Sequence, residues 1–268
     1  MIRLVATDLD GTLIRSDGTV STRTIRALQA VEAAGIVVVL ITGRPPRWMG
    51  PVTDAIGHTG VAICANGALI YDLHSETLLS RRMLEPARAL AVAGRLRREI
   101  PDLMFAAEYG FGFGQEPGYK HNWEIGGCDV RTGPVSALLD QPVAKLLARH
   151  LEYDCDTLVA RALPIVGTDA TVTSSSWEAM LEISAFGVTK ATTLAQFARS
   201  LGVSPGQVIA FGDMPNDVEM LAWSGRAIAV ANAHQEVLAV ADEVTASNDD
   251  DGVALVLERL AADHAGAA

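Results

Sequence analysis

Leu4-Val5-Ala6-Thr7-Asp8-Leu9-Asp10-Gly11-Thr12-Leu13 is a short apolar run that ends in two carboxylates and a glycine turn. Residues 2–7 read as a buried strand. Side chains along a strand alternate with a period of two, so Asp8 and Asp10 leave it on the same side. Two negative charges held that close repel each other. A cation between them, or a proton on one of them, explains the arrangement. Taken alone, Asp-x-Asp more often marks a turn or a helix cap, so the rest of the chain decides.

Outward from this stretch, Thr19–Ala34 reads as a helix. Ser21 can cap it, Ile25, Leu28 and Val31 fall at helical spacing, and Gly35 stops it. Ile36–Ile41 is a continuous apolar run, the pattern of a strand covered on both faces. It ends at Thr42-Gly43-Arg44-Pro45-Pro46, and a helix follows. Gly60–Cys64 is another apolar run, closing in the turn signal Asn66-Gly67. The pattern changes near Leu84-Glu85-Pro86. An Arg-rich amphipathic helix covers 87–99, and weaker strand signals follow, with a glycine-rich stretch at 109–114. Val143–Arg149, Thr171–Ser174 and Trp177–Ile183 read as strands, with helical Thr157–Leu163 among them. The buried pattern then returns: helix Thr189–Ser200, strand Val208–Phe211, Gly212-Asp213-Met214-Pro215-Asn216-Asp217, helix Val218–Trp223 and strand Ala227–Val230. The small residues Ala261–Ala268 are expected to fray. The expected fold is α/β: a parallel-sheet core, residues 1–83 and 185–268, with an inserted α+β cap, residues 84–184.

Bulk properties narrow the function. The 268 residues, 49% of them hydrophobic, suffice for a large core. A net charge of −11 argues against nucleic acid as a partner. Cys64, Cys128 and Cys155 are widely spaced and read as free thiols rather than a zinc or disulfide framework. Met1 leads directly into a strand pattern, and no apolar run is long enough to span a bilayer. A soluble, cytoplasmic protein without a membrane partner is expected.

Parallel sheets bind ligands at the carboxyl ends of their strands. Asp8 and Asp10, Thr42 and Gly43, and Asp213, Asn216 and Asp217 should therefore meet, with Lys190 adding one cation. Carboxylates with a single lysine describe a site for Mg²⁺ and a phosphoryl group, since Mg²⁺ takes hard oxygen ligands. Asp8 is the candidate nucleophile and Asp10 the candidate acid and base. Asp8, Asp213 and the Asp10 carbonyl are candidate metal ligands. Thr42, Gly43, Lys190 and Asn216 are candidates to grip phosphate, with Gly11, Arg44 and Asp217 in support. The scattered histidines show no ligand spacing.

Asp8-Leu9-Asp10-Gly11-Thr12-Leu13 resembles the first motif of the haloacid dehalogenase superfamily of phosphatases. Thr42-Gly43-Arg44, Lys190 and Gly212-Asp213-Met214-Pro215-Asn216-Asp217 are similar to its second, third and fourth motifs. The nearest branch is the Cof-type phosphatases with a type IIB cap, which Asn66-Gly67-Ala68, Asn232-Ala233 and Ser247–Ala254 also resemble. The likeness spans the core and is weak over about 105–165. It implies a Rossmann-like core, a cap over the active site and Mg²⁺-dependent hydrolysis of small phosphomonoesters, such as sugar phosphates or phosphorylated cofactors. The alternatives are a hexose phosphomutase and a non-catalytic binder of phosphorylated metabolites. Oligomeric state is not encoded in any motif.

Overall fold

The computed structural model describes every residue except 59, 122, 124, 176–178 and 268, and the side chains of 265 and 267. Among the described residues it holds nine α-helices and two sheets. The first part of the chain runs β1 (Leu4–Thr7), α1 (Thr22–Ala33), β2 (Val37–Ile41), α2 (Met49–Ile56), β3 (Val61–Cys64), β4 (Leu69–Asp72) and β5 (Thr77–Arg81). The middle runs α3 (Pro86–Glu99), β6 (Met104–Glu108), β7 (Phe113–Gln115), β8 (Val130–Thr132), α4 (Val135–Leu138), β9 (Lys145–Arg149), α5 (Cys155–Val166), β10 (Ala170–Thr173) and β11 (Met180–Ala185). The last part runs α6 (Lys190–Ser200), β12 (Val208–Gly212), α7 (Val218–Trp223), β13 (Arg226–Ala229), α8 (Gln235–Val240), β14 (Glu243–Val244) and α9 (Gly252–Ala267).

The larger sheet has the order β14-β13-β12-β1-β2-β3-β4-β5. The six strands from β14 to β3 are parallel, and β4 and β5 extend the sheet antiparallel. β1 lies at the centre because all four of its residues are buried, and it pairs Leu4 with both Val37 and Val208. Asp8 continues that ladder, its N–H donating to the Phe211 carbonyl at 3.0 Å. The hairpin β4–β5 is an addition to the sequence reading. Leu69-Ile70-Tyr71 is apolar but too short to announce a strand before its turn.

The smaller sheet, β10-β11-β9-β6-β7-β8, is built wholly from the middle of the chain. Period-two alternation divides its faces. Phe105, Ala107, Leu146, Ala148, Leu181 and Ile183 pack with α3 and α5. Ala106, Leu147 and Met180, on the opposite face, cluster with Phe113 and Tyr119. Arg82 ties the outgoing and returning chain together: its N–H donates to Ala68 O, and its guanidinium donates to Gly187 O at 3.0 Å.

Most predicted elements fall where expected, with ends displaced by a few residues. Ser21 caps α1 through Thr24 N–H, and Gly35 follows with φ +79°. The strand expected from Trp177 begins at Met180, and 177 lies outside the described residues. The C-terminal tail is a correction. Instead of fraying from Ala261, α9 runs to Ala267. Val253, Val256, Leu257 and Leu260 are buried at helical spacing, and Arg23 on α1 holds Glu258 with two 2.7 Å hydrogen bonds. The alanines and glycine of the tail hid an anchor that lies one turn earlier. The glycine-rich stretch is the turn between β6 and β7, closed by Tyr109 N–H donating to Gly112 O at 3.0 Å. No helix among the described residues is long and apolar enough to cross a membrane.

Candidate functional site

The carboxyl ends of β1, β2 and β12 bring the predicted clusters together. Lys190 is fully buried, and its Nζ lies 2.6 Å from Asp8 Oδ1 and 2.7 Å from Asp217 Oδ1. A capping box sets its position: Thr189 and Thr192 exchange side-chain-to-backbone hydrogen bonds of 3.1 Å, so Lys190 opens α6. A cation is disfavoured at a helix N-terminus by the macrodipole. Here the two carboxylates outweigh both that effect and burial, and they hold the ammonium above its ordinary pKa. Gly67, at φ +100°, lets the chain after β3 approach this helix start, since a Cβ there would lie 2.3 Å from Thr189 O.

Asp217 is committed on both oxygens. Besides Lys190, it accepts from the N–H groups of Asp213 (3.1 Å) and Met214 (3.2 Å). Asp213 accepts from Thr12 Oγ1 at 2.8 Å and shares a hydrogen bond with Asp8. Burial pushes Asp8 well above the usual carboxylate range against the opposing pull of Lys190. Burial, and then the charge of Asp217, push Asp213 up to about 7. Oxygens of Asp8, Asp213 and Asp217 all lie within 4.8 Å of one another. Three carboxylates against one lysine leave an excess of negative charge that a proton shared between Asp8 and Asp213 relieves, as would a divalent cation. Hard oxygen donors at this spacing fit Mg²⁺. Because Asp217 is spent on Lys190 and two amides, Asp8 and Asp213 are the pair with oxygen to offer. Gly11 must be glycine: its φ is +79°, and a Cβ would lie 2.3 Å from Asp213 Oδ2.

Asp10 stands apart, with its side chain half exposed, and Arg44 grips both its oxygens at 2.8 and 2.5 Å. Thr42 is buried and accepts the Arg44 N–H at 3.0 Å, which leaves its hydroxyl hydrogen to donate. Gly43 gives its carbonyl to Lys145 Nζ at 2.7 Å. Asn216 donates through Nδ2 to Asn66 Oδ1 at 3.1 Å, while its buried Oδ1 has no partner. That atom is an acceptor, so Asn216 can contribute to holding phosphate only through its remaining N–H.

Over these groups lies a cavity of about 680 Å³, roofed by the smaller sheet. Its charged residues did not stand out in the sequence. Arg47, just after β2, makes two hydrogen bonds to Glu108 at the end of β6, and both side chains are buried. Lys145 on β9 pairs with Glu182 on β11. Asn66 Nδ2 donates to Glu182 Oε2 at 2.8 Å and to Thr173 Oγ1 at 3.1 Å. Burial raises Glu182, but the charge of Lys145 and the hydrogen bonds of Lys145, Asn66 and Ser175 outweigh it and hold the carboxyl below its ordinary range. The signal was present in the sequence: a lone charge inside an apolar strand run, as in Ala144-Lys145-Leu146 and Leu181-Glu182-Ile183, demands a buried partner. A second cavity of about 420 Å³, lined by Asp10, Asp213 and Asp249 among others, adjoins the first through Asp10, Ser175 and Met214.

A family profile described as haloacid dehalogenase-like hydrolase matches residues 5–257. The 5-amino-6-(5-phospho-D-ribitylamino)uracil phosphatase YitU of Bacillus subtilis (strain 168) is 27% identical over 267 residues, covering 95% of this chain and 96% of that protein. The pyridoxal phosphate phosphatase YbhA of Escherichia coli (strain K12) is 26% identical over 276 residues, covering 94% and 96%. The solved structure of the subclass IIB sugar phosphatase BT4131 superposes with a TM-score of 0.82 at 20% identity, covering 96% of this chain and 98% of that one, which establishes a shared fold.

Proposed function

The chain belongs to the haloacid dehalogenase-like hydrolase family and is a phosphoric monoester hydrolase, and on that premise we propose that it hydrolyses small phosphorylated metabolites through an aspartyl-phosphate on Asp8. The observation that carries this reading is the buried contact of Asp8 with Lys190 on one side and Asp213 on the other. A carboxylate kept in place by a lysine, at the end of a strand facing a cavity, is a positioned nucleophile. An Asp8 oxygen attacks phosphorus, and the bond from phosphorus to the ester oxygen breaks. The departing alkoxide takes its proton from Asp10. Asp10 then accepts a proton from water, which attacks the same phosphorus and releases Asp8. Arg44 holds both oxygens of Asp10, which fixes the place from which that carboxyl gives and takes the proton.

Thr42 Oγ1 and Lys190 Nζ are the donors that support the phosphoryl oxygens. Asp8 and Asp213 would hold Mg²⁺, which when bound neutralises charge on the phosphoryl group. Asp217 acts at one remove, by keeping Lys190 and the Asp213 backbone in position. Residues 84–184 serve as the cap that selects the ester group. The test is phosphate release from a panel of phosphorylated metabolites with and without Mg²⁺. Release that needs Mg²⁺ and is abolished by Asp8→Asn is expected, and release that survives Asp8→Asn would exclude the covalent route.

A further inference from the structure

Two buried ion pairs line the roof of the cavity, and they differ in what else they hold. Arg47, paired with Glu108, gives a further hydrogen bond to Ile125 O at 3.1 Å. Lys145 and Glu182, bonded to each other, instead each reach a loop of the floor. Lys145 Nζ donates to Gly43 O at 2.7 Å. That carbonyl shares a peptide group with the Arg44 N–H, which donates to Thr42 Oγ1 at 3.0 Å. A peptide group is planar and rigid, so the lysine at one end of it orients the hydroxyl at the other. On the second route, Glu182 Oε2 accepts from Asn66 Nδ2 at 2.8 Å, and Asn66 Oδ1 accepts from Asn216 Nδ2 at 3.1 Å. The order of these bonds is forced. Glu182, ionised beside Lys145, only accepts, so Asn66 turns its amide nitrogen to it and its oxygen to Asn216. Asn66 sits at φ +53°, a left-handed conformation open to asparagine, and its own N–H donates to Thr42 O at 3.1 Å.

We propose that Lys145 and Glu182 are positioning residues of the phosphate cradle: through the Gly43–Arg44 peptide they set the hydroxyl of Thr42, and through Asn66 they set the amide of Asn216. The inference rests on the phosphatase reading of the cavity floor. It gives the inserted segment a part in phosphoryl transfer itself, besides the choice of ester group. Thr42 follows β2 and Asn216 follows β12, so no local turn can set one against the other, whereas a common support in the roof does. A pair buried for stability alone tolerates exchange for apolar side chains of similar volume. A pair used for orientation does not, because a cradle donor misplaced by about 1 Å costs about 10²-fold in rate.

The test removes both charges together, as Lys145→Met/Glu182→Leu, so that neither is left buried alone, and checks the fold by thermal melting. Phosphate release with Mg²⁺ is measured on acetyl phosphate and p-nitrophenyl phosphate, whose leaving groups differ in size and shape. kcat/KM is expected to fall about 10²-fold and by the same factor for both, and inorganic phosphate should inhibit roughly tenfold more weakly. In a Thr42→Val background the same double substitution should cost only about tenfold, because one of the two routes is already lost. A folded variant with unchanged kcat/KM overturns the proposal, since a merely structural pair behaves that way. So does a loss confined to p-nitrophenyl phosphate, the mark of a roof that reads only the leaving group. The full loss persisting in the Thr42→Val background overturns it as well. If the double variant does not fold, the isosteric Glu182→Gln decides: its amide nitrogen faces Asn66 as a donor and reverses the relay, and roughly a tenfold loss on both substrates is expected, with no loss overturning the proposal. Turnover by the wild-type protein shows the floor reading standing in each of these cases, whereas no turnover of either substrate would bring down both.

Discussion

The floor and the roof of the cavity both bury acids with bases, but in different proportions. The floor gathers three carboxylates, Asp8, Asp213 and Asp217, around the single ammonium of Lys190. The roof matches two carboxylates, Glu108 and Glu182, to two cations, Arg47 and Lys145. A balanced buried set needs nothing more and serves to fix geometry. An unbalanced one is left waiting for a proton or a cation, and strongly perturbed acids are the mark of such a site. Asp213, pushed up to about 7, and Glu182, held below its ordinary range, mark that difference, while Glu108 in the roof is raised because burial exceeds the pull of Arg47.

The comparison breaks most sharply at Asp8. Asp8→Asn should lower kcat by about 10⁴-fold or more while circular dichroism and thermal midpoint stay near wild type, because the amide preserves shape and removes a charge that burial already disfavours. Next in size, Lys190→Met removes the floor's only cation and leaves three crowded carboxylates. Urea denaturation of the metal-free protein should show a loss of about 3–5 kcal/mol, partly recovered on adding Mg²⁺.

Asp213→Asn should move stability the other way. A carboxyl raised to about 7 in the fold keeps its proton where the unfolded chain has lost it, so folding stability falls as pH rises from about 4 to 7. The variant should therefore gain about 4 kcal/mol at pH 8 without metal and nothing at pH 4. Equal stability of the two proteins at pH 8 would show that the floor is not under electrostatic strain. Glu182 gives the smallest and opposite effect. Its depressed pKa contributes stability that is present above the unfolded value of 4.5 and fades as pH falls through the lower folded value. The wild-type thermal midpoint should fall on acidification in that range with a steeper slope than that of Glu182→Gln.

The floor was legible in the sequence and the roof was not, for a physical reason. Each floor residue ends a buried strand or opens a helix, so Thr7-Asp8, Ile41-Thr42 and Gly212-Asp213 carry their own local signature. Lys190 was found through its place after the insertion, and its capping threonines account for its position. The roof is assembled by pairing across strands. Glu108 faces Lys145 only because β6 and β9 share a register, and Glu182 meets Asn66 only because β11 comes against the turn that follows β3. No spacing along the chain encodes either meeting. Arg44 lies between these cases: its adjacency to Thr42-Gly43 marked it as supporting, while its two-pronged grip on Asp10 required the three-dimensional arrangement. The end of α9 was misread because alanine, glycine and histidine resemble a loose terminus when Val253–Leu260 is left out of view.

The central place of β1 has a consequence for biosynthesis. Its partner on one side is β2, only about thirty residues on, but on the other it is β12, at Val208–Phe211. A nascent chain emerging at ~5–20 residues per second therefore carries β1 with one bare edge for roughly ten to forty seconds. The smaller sheet has no such wait, because β6 to β11 pair only among themselves and are all present once Ala185 has been made. The inserted segment can thus be finished while the first strand still has one bare edge. The floor, which needs residues on both sides of the insertion, comes together only after the smaller sheet is complete.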